Sequence, residues 1–338
     1  HETAHMWFGD YVTMDWFNDV WTKEVFANYF AACITEPLFP SVNHSLNWIK
    51  TYTAASLAED RTLGSNSIRQ PLDNLRNAGL IYGNIIYNKA PVMMQKLVEI
   101  MGEKAYQEGI QEYLKTYAYS NATWDDLITI LDAKTEEDLA SFSDVWVNQK
   151  GMPHISFTNR CGQLEIRQRD PLNRGLIWPQ RFQITFIGDE STTIEVDLSQ
   201  ETYALTVPLD TKAILPNTDE RGYGLFIPDE QSRAWLLAHW QEITDDTARQ
   251  SLLMLLYENY QHRIITDKEW MNALLNGLKT EKNALIASTL CSYLGGPMRK
   301  LKDEKQEETI WGWTEKHPIA SCRLQLMRSL ISNASAPQ

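Results

Sequence analysis

The chain has 338 residues, a hydrophobic fraction of 43% and a charged fraction of 22%, which is typical of a folded globular protein with room for two or three domains. Its formal net charge of −13 argues against nucleic acids and anionic membrane surfaces as partners, because both attract positively charged proteins. No apolar run approaches the roughly 20 residues that a membrane-spanning helix requires, so the sequence predicts no membrane span.

The first part of the chain has the 3.6-residue periodicity of amphipathic helices. Thr123 and Asp126 also form a capping-box pattern, which marks a helix start. The predicted helices in this part cover residues 21–32, 86–101, 105–117, 127–131 and 135–148.

The periodicity changes at Gly151-Met152-Pro153, where a helix must end. An alternation with a period of two follows, which indicates short β-strands. The predicted strands cover residues 154–158, 163–168, 180–187, 192–198 and 203–208. Strands this short at this spacing favour a small antiparallel β-sandwich.

The helical period returns after Pro228-Asp229 and continues to the end of the chain. A second capping-box pattern pairs Thr266 with Glu269, and Gly295-Gly296-Pro297 predicts a break between helices. The predicted helices cover residues 231–241, 245–261, 267–278, 283–293, 304–314 and 318–332. Consecutive amphipathic helices with short connections indicate a stacked helical array.

The sequence therefore predicts a multidomain, mostly α fold with three parts. A helical domain covers residues 1–152, a β-sandwich domain covers 153–229 and a C-terminal helical domain covers 230–338.

The first five residues, His1-Glu2-Thr3-Ala4-His5, carry a pattern with metal chemistry. Two histidines four residues apart project from one helix face and can share a zinc ion. Glu2 lies between them in sequence, where the motif places a general base. The alternative is a surface helix with two unrelated histidines.

A third ligand is predicted at Glu24, nineteen residues after His5 in a helix rich in aromatic residues. Two imidazoles and one carboxylate are a common ligand set for a catalytic zinc ion with one open position. A water there would have its pKa lowered to about 7. We therefore expect one Zn²⁺ as cofactor, although only its spacing distinguishes this glutamate from an ordinary solvated one.

Residues 1–30 resemble the zinc segment of the aminopeptidase N family of gluzincin metallopeptidases. That segment reads HExxH, then WFGN, VT, a Trp-rich WxND element and WLNEGFA, and the match has few substitutions and no gaps. The resemblance implies that 1–152 are the helical part of a thermolysin-like domain. It also implies a zinc-dependent aminopeptidase that removes N-terminal residues from peptides.

A second match lies at residues 86–90, which are similar to the family's YxKG element. The resemblance implies that the hydroxyl of Tyr87 binds the oxyanion of the tetrahedral intermediate, and that Tyr82 belongs to the substrate pocket. Without the resemblance, core packing would be the preferred explanation for each tyrosine. Residues 146–153 further resemble the family's WxxQxGxP junction between its catalytic and sandwich domains.

The chain also departs from the family pattern. Substitutions that leave every proposed ligand and catalytic group in place occur at Asp10, Lys23, Val25 and Ala90. The family's upstream GxMEN segment, whose glutamate holds the substrate amine, and its N-terminal β domain are not in this sequence. We therefore expect this chain to be the C-terminal portion of a longer protein, with that β domain as its partner. No amine-binding residue can be named in this sequence. The compartment, cytoplasmic or periplasmic, stays open.

Two other functions remain open at this point. One is a non-catalytic fragment or module, because a helix that begins at His1 has no preceding turn to hold it. The other is a related gluzincin, either an endopeptidase or an epoxide hydrolase. The predicted sandwich domain favours an aminopeptidase N-like protein over the epoxide hydrolase branch, which lacks that domain.

Overall fold

A computed structural model describes residues 1–335 of the chain. The chain forms two compact units. Unit 1 contains residues 1–154, 168–180 and 198–201, and unit 2 contains the remaining described residues. The predicted multidomain, mostly helical organisation is confirmed at this level, whereas the division into three domains stays a prediction.

Unit 1 is built from eight α-helices among the described residues. They are α1 (Glu2–His5), α2 (Trp21–Leu38), α3 (His44–Trp48), α4 (Ala54–Asp60), α5 (Ala90–Met101), α6 (Glu103–Thr116), α7 (Trp124–Asp132) and α8 (Leu139–Phe142). Two short strands, β1 (Val12–Met14) and β2 (Ser120–Ala122), pair in parallel. Sequence patterns missed this pair because its strands are three residues long and far apart in the chain.

Irregular turns connect several of these helices. Two 3-10 helices cover Phe17–Asp19 and Leu75–Leu80. Three π-helical turns cover Ile49–Thr53, Ile85–Lys89 and Ser143–Val147. The helix predicted over 86–101 therefore begins as a π-turn and becomes an α-helix only at Ala90.

The start predicted for the helix over residues 135–148 was wrong. Asp138 is the N-cap of α8 and accepts a hydrogen bond from the amide of Ser141, so regular helix begins only at Leu139. The capping box predicted for α7 is confirmed, because the side chains and amides of Thr123 and Asp126 bond reciprocally.

The strands lie between residues 154 and 227. They are β3 (His154–Arg160), β4 (Gln163–Arg169), β5 (Gln180–Ile187), β6 (Thr192–Leu198), β7 (Thr202–Thr206), β8 (Ala213–Leu215) and β9 (Leu225–Ile227). One sheet has the order β7-β4-β3-β9, the other β6-β5-β8. The β4–β7 and β5–β8 pairs are antiparallel.

Each of the five predicted strands is present, with ends that shift by up to two residues. Along β4, Leu164 and Ile166 are buried and their neighbours are exposed, so the period of two correctly located this strand. Two strands of these sheets were missed, β8 and β9, because each has only three residues and their burial does not alternate.

Seven α-helices, with a 3-10 helix at Trp240–Glu242, complete the described part of unit 2. They are α9 (Glu230–His239), α10 (Asp246–Gln261), α11 (Asp267–Thr280), α12 (Ala284–Tyr293), α13 (Gly295–Leu301), α14 (Glu304–Lys316) and α15 (Ala320–Asn333). The predicted capping box of Thr266 and Glu269 begins α11.

The predicted break between helices is present, but it lies at Leu294, one residue before Gly295-Gly296-Pro297. Helix α13 begins at Gly295, and only Leu294 separates it from α12. Pro297 lies in the first turn of α13, where its missing N–H removes no bond within the helix. No helix in the described part of the chain combines the length and apolar character needed to cross a membrane.

Candidate metal centre

The centre is built around the short helix α1 and the start of α2. His1 is the N-cap residue of α1, and His5 ends that helix. Gly9 then turns the chain behind His5 with a φ of +129°, a conformation that favours glycine. A Cβ at Gly9 would lie 3.4 Å from the carbonyl oxygen of His5, so this turn keeps the backbone close to the histidine.

The two imidazole rings face each other through their Nε2 atoms, which are 3.2 Å apart. The Nδ1 atom of His5 lies 3.2 Å from the carbonyl oxygen of Phe8, and that of His1 lies 2.9 Å from Oδ1 of Asn28. Both partners are acceptors, so each Nδ1 carries the proton. Both Nε2 lone pairs then point at the same small volume, which is the tautomer that a metal ligand needs.

Glu24 supplies the third atom of this cluster. It lies in the first turn of α2 and is only 7% exposed. Its Oε2 atom is 3.7 Å from Nε2 of His1 and 3.8 Å from Nε2 of His5. Each of the three residues therefore offers one ligand atom, and these atoms all lie within 4.8 Å of one another.

These separations fit a zinc ion. Tetrahedral coordination with metal–ligand bonds of about 2.0–2.2 Å puts neighbouring ligand atoms about 3.3–3.5 Å apart, close to the observed 3.2, 3.7 and 3.8 Å. Two facing lone pairs and a carboxylate also repel one another unless a cation lies between them. The donor set and its spacing thus suit a small divalent cation, and that these residues bind one stays a prediction.

Aromatic packing holds the two helices of the centre together. Phe8, which follows α1, stacks on Phe26 of α2 with ring centroids 4.3 Å apart. Trp21 in the first turn of α2 is buried and contacts Trp124 at 4.6 Å. The buried rings of Trp21 and Phe26 flank Glu24 in the sequence of α2. Their burial therefore fixes the direction in which this helix presents the carboxylate of Glu24.

A buried ion pair anchors the turn before α2. Asp19 is 1% exposed, and its Oδ1 lies 2.7 Å from Nε of Arg69 while Nη2 of Arg69 donates to Oδ2 at 3.0 Å. The amide of Trp124 also donates to Oδ2. Burial raises the pKa of Asp19, and the amide of Trp124 and the charge of Arg69 act against that rise.

Sequence reasoning missed the supporting residues Asn28, Asp19 and Arg69. Asp19 lies in the Trp-rich element of the family resemblance, so that element carried a signal for it. Arg69 and Asn28 lie in no motif that was recognised. Their contacts depend on how the chain folds.

Tyr87 lies on the π-helical turn Ile85–Lys89 and is 39% exposed. Partial burial raises the pKa of its phenol, and the negative charge of Glu24 raises it further. The hydroxyl thus stays protonated at neutral pH and can donate a hydrogen bond. Its ring lies 6.2 Å from that of Tyr82, at an interplanar angle of 29°.

A second buried ion pair fixes the same π-turn. Nζ of Lys89 lies 2.7 Å from Oδ2 of Asp60, and the two side chains are 1% and 0% exposed. Lys89 also donates to the carbonyl oxygen of Gly151 at 2.9 Å, and Ser65 donates to the other oxygen of Asp60. The turn that carries Tyr87 is therefore tied to the end of α4 and to the segment at Gly151.

Glu2 is exposed on α1. Among the described residues its carboxylate makes no hydrogen bond or ion pair. The structure thus brings His1, His5 and Glu24 together, puts Tyr87 within range of the charge of Glu24, and leaves Glu2 open to solvent beside His1.

Comparisons with known proteins concern the family of the chain. The model of the Peptidase family M1 domain matches residues 1–146. Residues 1–146, which include all six predicted site residues, are therefore similar to peptidase family M1. This match supports the aminopeptidase N family of zinc metallopeptidases that the sequence predicts.

Several curated M1 relatives are named aminopeptidases. Aminopeptidase N of Streptomyces lividans is 27% identical over 318 residues, which cover 86% of this chain and 37% of the relative. Aminopeptidase M1-B of Oryza sativa subsp. japonica is 31% identical over 53% of this chain and 20% of the relative. Probable aminopeptidase 1 of Sulfurisphaera tokodaii is 28% identical over 65% and 27%. The chain therefore spans well under half the length of these relatives.

Proposed function

We propose that this chain carries the metal-binding and catalytic residues of a zinc aminopeptidase that removes N-terminal residues from peptides. The strongest support is the convergence of Nε2 of His1, Nε2 of His5 and Oε2 of Glu24, with ligand atoms within 4.8 Å of one another. The aminopeptidase names of the M1 relatives support the same activity.

In this proposal His1, His5 and Glu24 hold one Zn²⁺. When bound, the ion supplies Lewis-acid chemistry, which polarises a peptide carbonyl and acidifies water. Asn28 and the carbonyl of Phe8 keep both imidazoles in the tautomer with a free Nε2.

Glu2 has the role of proton carrier. Its carboxylate accepts a proton from the attacking water and passes it to the amine that leaves, so it acts first as a general base and then as a general acid. Its exposure beside His1 leaves both carboxylate oxygens free for this transfer.

Tyr87 stabilises the negative charge that develops on the carbonyl oxygen. Its hydroxyl keeps its proton at neutral pH because partial burial and the charge of Glu24 raise its pKa. A neutral phenol can therefore donate a hydrogen bond to the oxyanion. Tyr82, whose ring lies beside that of Tyr87, forms part of the wall of the substrate pocket.

The finer fold assignments belong to the same proposal. Residues 1–152 form the helical part of a thermolysin-like domain, 153–229 form a β-sandwich domain and 230–338 form a C-terminal helical domain. The two small sheets with antiparallel pairs support the second assignment. In the longer protein, an upstream GxMEN segment supplies the glutamate that binds the substrate amine, and an N-terminal β domain is the partner of this chain.

The test is an assay of the longer protein on aminoacyl anilides, with and without a chelator. We expect release of the first residue, loss of activity on chelation and recovery with Zn²⁺. Cleavage of N-blocked peptides would instead indicate an endopeptidase, and turnover of epoxides alone the epoxide hydrolase branch. A protein that binds zinc but cleaves nothing would make this a non-catalytic module.

A further inference from the structure

Unit 2 contains an open cavity of about 800 Å³ that is lined by residues of α10, α12, α13 and α15 and by the turn after α10. Four cationic side chains line it: Arg263, Arg299, Lys300 and Arg328. None of the described residues that line it is acidic. The chain as a whole has a net charge of −13, whereas the side chains that line this cavity are positively charged or neutral.

Few of these cations have an anionic partner. Nζ of Lys300 pairs with Oδ1 of Asp267 at 3.0 Å, whereas Arg299 donates to the neutral amide oxygen of Asn333. Arg263 and Arg328 are exposed, and within residues 1–335 neither makes an ion pair. Arg263 acts on Asp267 only at longer range, where its charge is one of those that lower the pKa of that carboxyl against the effect of burial.

Helix ends account for only part of this positive charge. Arg299 and Lys300 lie in the last turn of α13, Arg263 lies just past α10, and Arg328 lies five residues before the end of α15. A helix C-terminus carries about half a negative charge. Three ends supply about −1.5 and Asp267 supplies −1, against +4 from the side chains. An excess of about 1.5 positive charges therefore remains in the cavity.

The cavity wall also carries hydroxyl groups. That of Ser329 makes no hydrogen bond within residues 1–335, whereas Ser292 already donates to the carbonyl oxygen of Thr289 and Tyr260 to Oδ1 of Asp267. Gly296 lets Tyr260 approach the cavity wall closely, because a Cβ there would lie 3.1 Å from the tyrosine oxygen. Guanidinium groups together with hydroxyls are the donors that bind phosphate and carboxylate oxygens.

We propose that this cavity binds a small anion that carries two or more phosphate or carboxylate groups. The cations come from three separate segments of the chain, a spread that suits an anion with more than one charged group, and the volume lies within the usual range for small-molecule sites. The inference does not depend on the metal centre, since every lining residue belongs to unit 2.

The test is calorimetric titration of the full chain with inorganic tripolyphosphate and, separately, with citrate. Binding of one of them, with acetate inactive, identifies the phosphate or the carboxylate class. Arg263→Gln/Arg328→Gln is expected to weaken that binding about a hundredfold, at about tenfold for each charged contact. Arg76→Gln/Arg160→Gln is the matched control, because both residues are exposed and neither makes an ion pair in the described chain.

Three results would overturn the proposal. These are no binding of either anion by the unmodified chain, unchanged affinity in the cavity variant, and an equal loss in the control variant, which would indicate general electrostatics only. Unchanged circular dichroism of the cavity variant excludes misfolding as the cause of a loss. A protein that binds tripolyphosphate but cleaves no peptide would separate this inference from the proposed function.

Discussion

Unit 1 and unit 2 differ in the regularity of their helices. All three π-helical turns of the described chain lie in unit 1, at Ile49–Thr53, Ile85–Lys89 and Ser143–Val147, and one of them carries Tyr87. The described helices of unit 2 contain no such turn. Because π-turns often mark functional sites, the contrast shows that irregular backbone is concentrated where the proposed chemistry lies.

The largest expected effect concerns the proton carrier of unit 1. Glu2→Gln keeps the size of the side chain but removes its ability to accept a proton. We expect kcat of the longer protein to fall by about 10²–10⁴-fold, with one zinc ion per chain retained. Measurement of kcat beside metal content checks this, and near-normal turnover would refute the role of Glu2.

The next effect concerns stability. Lys89→Met would leave Asp60 buried without its cation, which typically costs about 3–5 kcal/mol. The control in unit 2 is Lys212→Met, because its ion pair with Asp189 is 57% and 82% exposed and exposed pairs contribute little to stability. Chemical denaturation followed by tryptophan fluorescence compares the two. Equal losses would show that the buried pair does not stabilise the π-turn.

A smaller effect is expected at the tyrosine on that turn. Tyr87→Phe removes one hydrogen-bond donor to the oxyanion, so kcat should fall by about 10²–10³-fold while KM changes little. Tyr119→Phe is the control, since that side chain is 88% exposed. A change confined to KM would indicate that Tyr87 binds substrate without stabilising the transition state.

The smallest effect tests the regular elements that both units share. Thr123→Ala and Thr266→Ala each remove a capping-box hydroxyl, and each should cost about 1 kcal/mol. Differential scanning calorimetry measures both variants. A clearly larger loss for either one would mean that the cap also supports packing elsewhere in its unit.

The sequence predicted most where local rules decide the structure. Both capping boxes, the strand Gln180–Ile187 and helices such as α10 were located within one or two residues, because caps and periodicity are local signals. The π-turn at Ile85–Lys89 was missed because a π-turn contains one more residue than an α-helical turn. The spacing of apolar residues in this segment does not reveal that extra residue. Helix α13 was missed because glycine and proline, which predicted only a break, are also tolerated at a helix start.

For the metal centre, the spacing of His1, His5 and Glu24 was enough to predict which residues come together. The hydrogen bond from His1 to Asn28 and the ion pair of Asp19 with Arg69 were not predictable in the same way. These contacts join segments that no short motif connects, so they follow from tertiary packing.

The most direct test of the account is the zinc affinity of Glu24→Gln, measured by competition with a chromogenic chelator. The control is Glu36→Gln, an exposed carboxylate on the same helix α2. We expect one zinc ion per chain in the unmodified protein and the control. Affinity should fall by more than about 100-fold in Glu24→Gln, beyond the loss of a supporting hydrogen bond. Equal zinc affinity in the two variants would contradict the proposed centre.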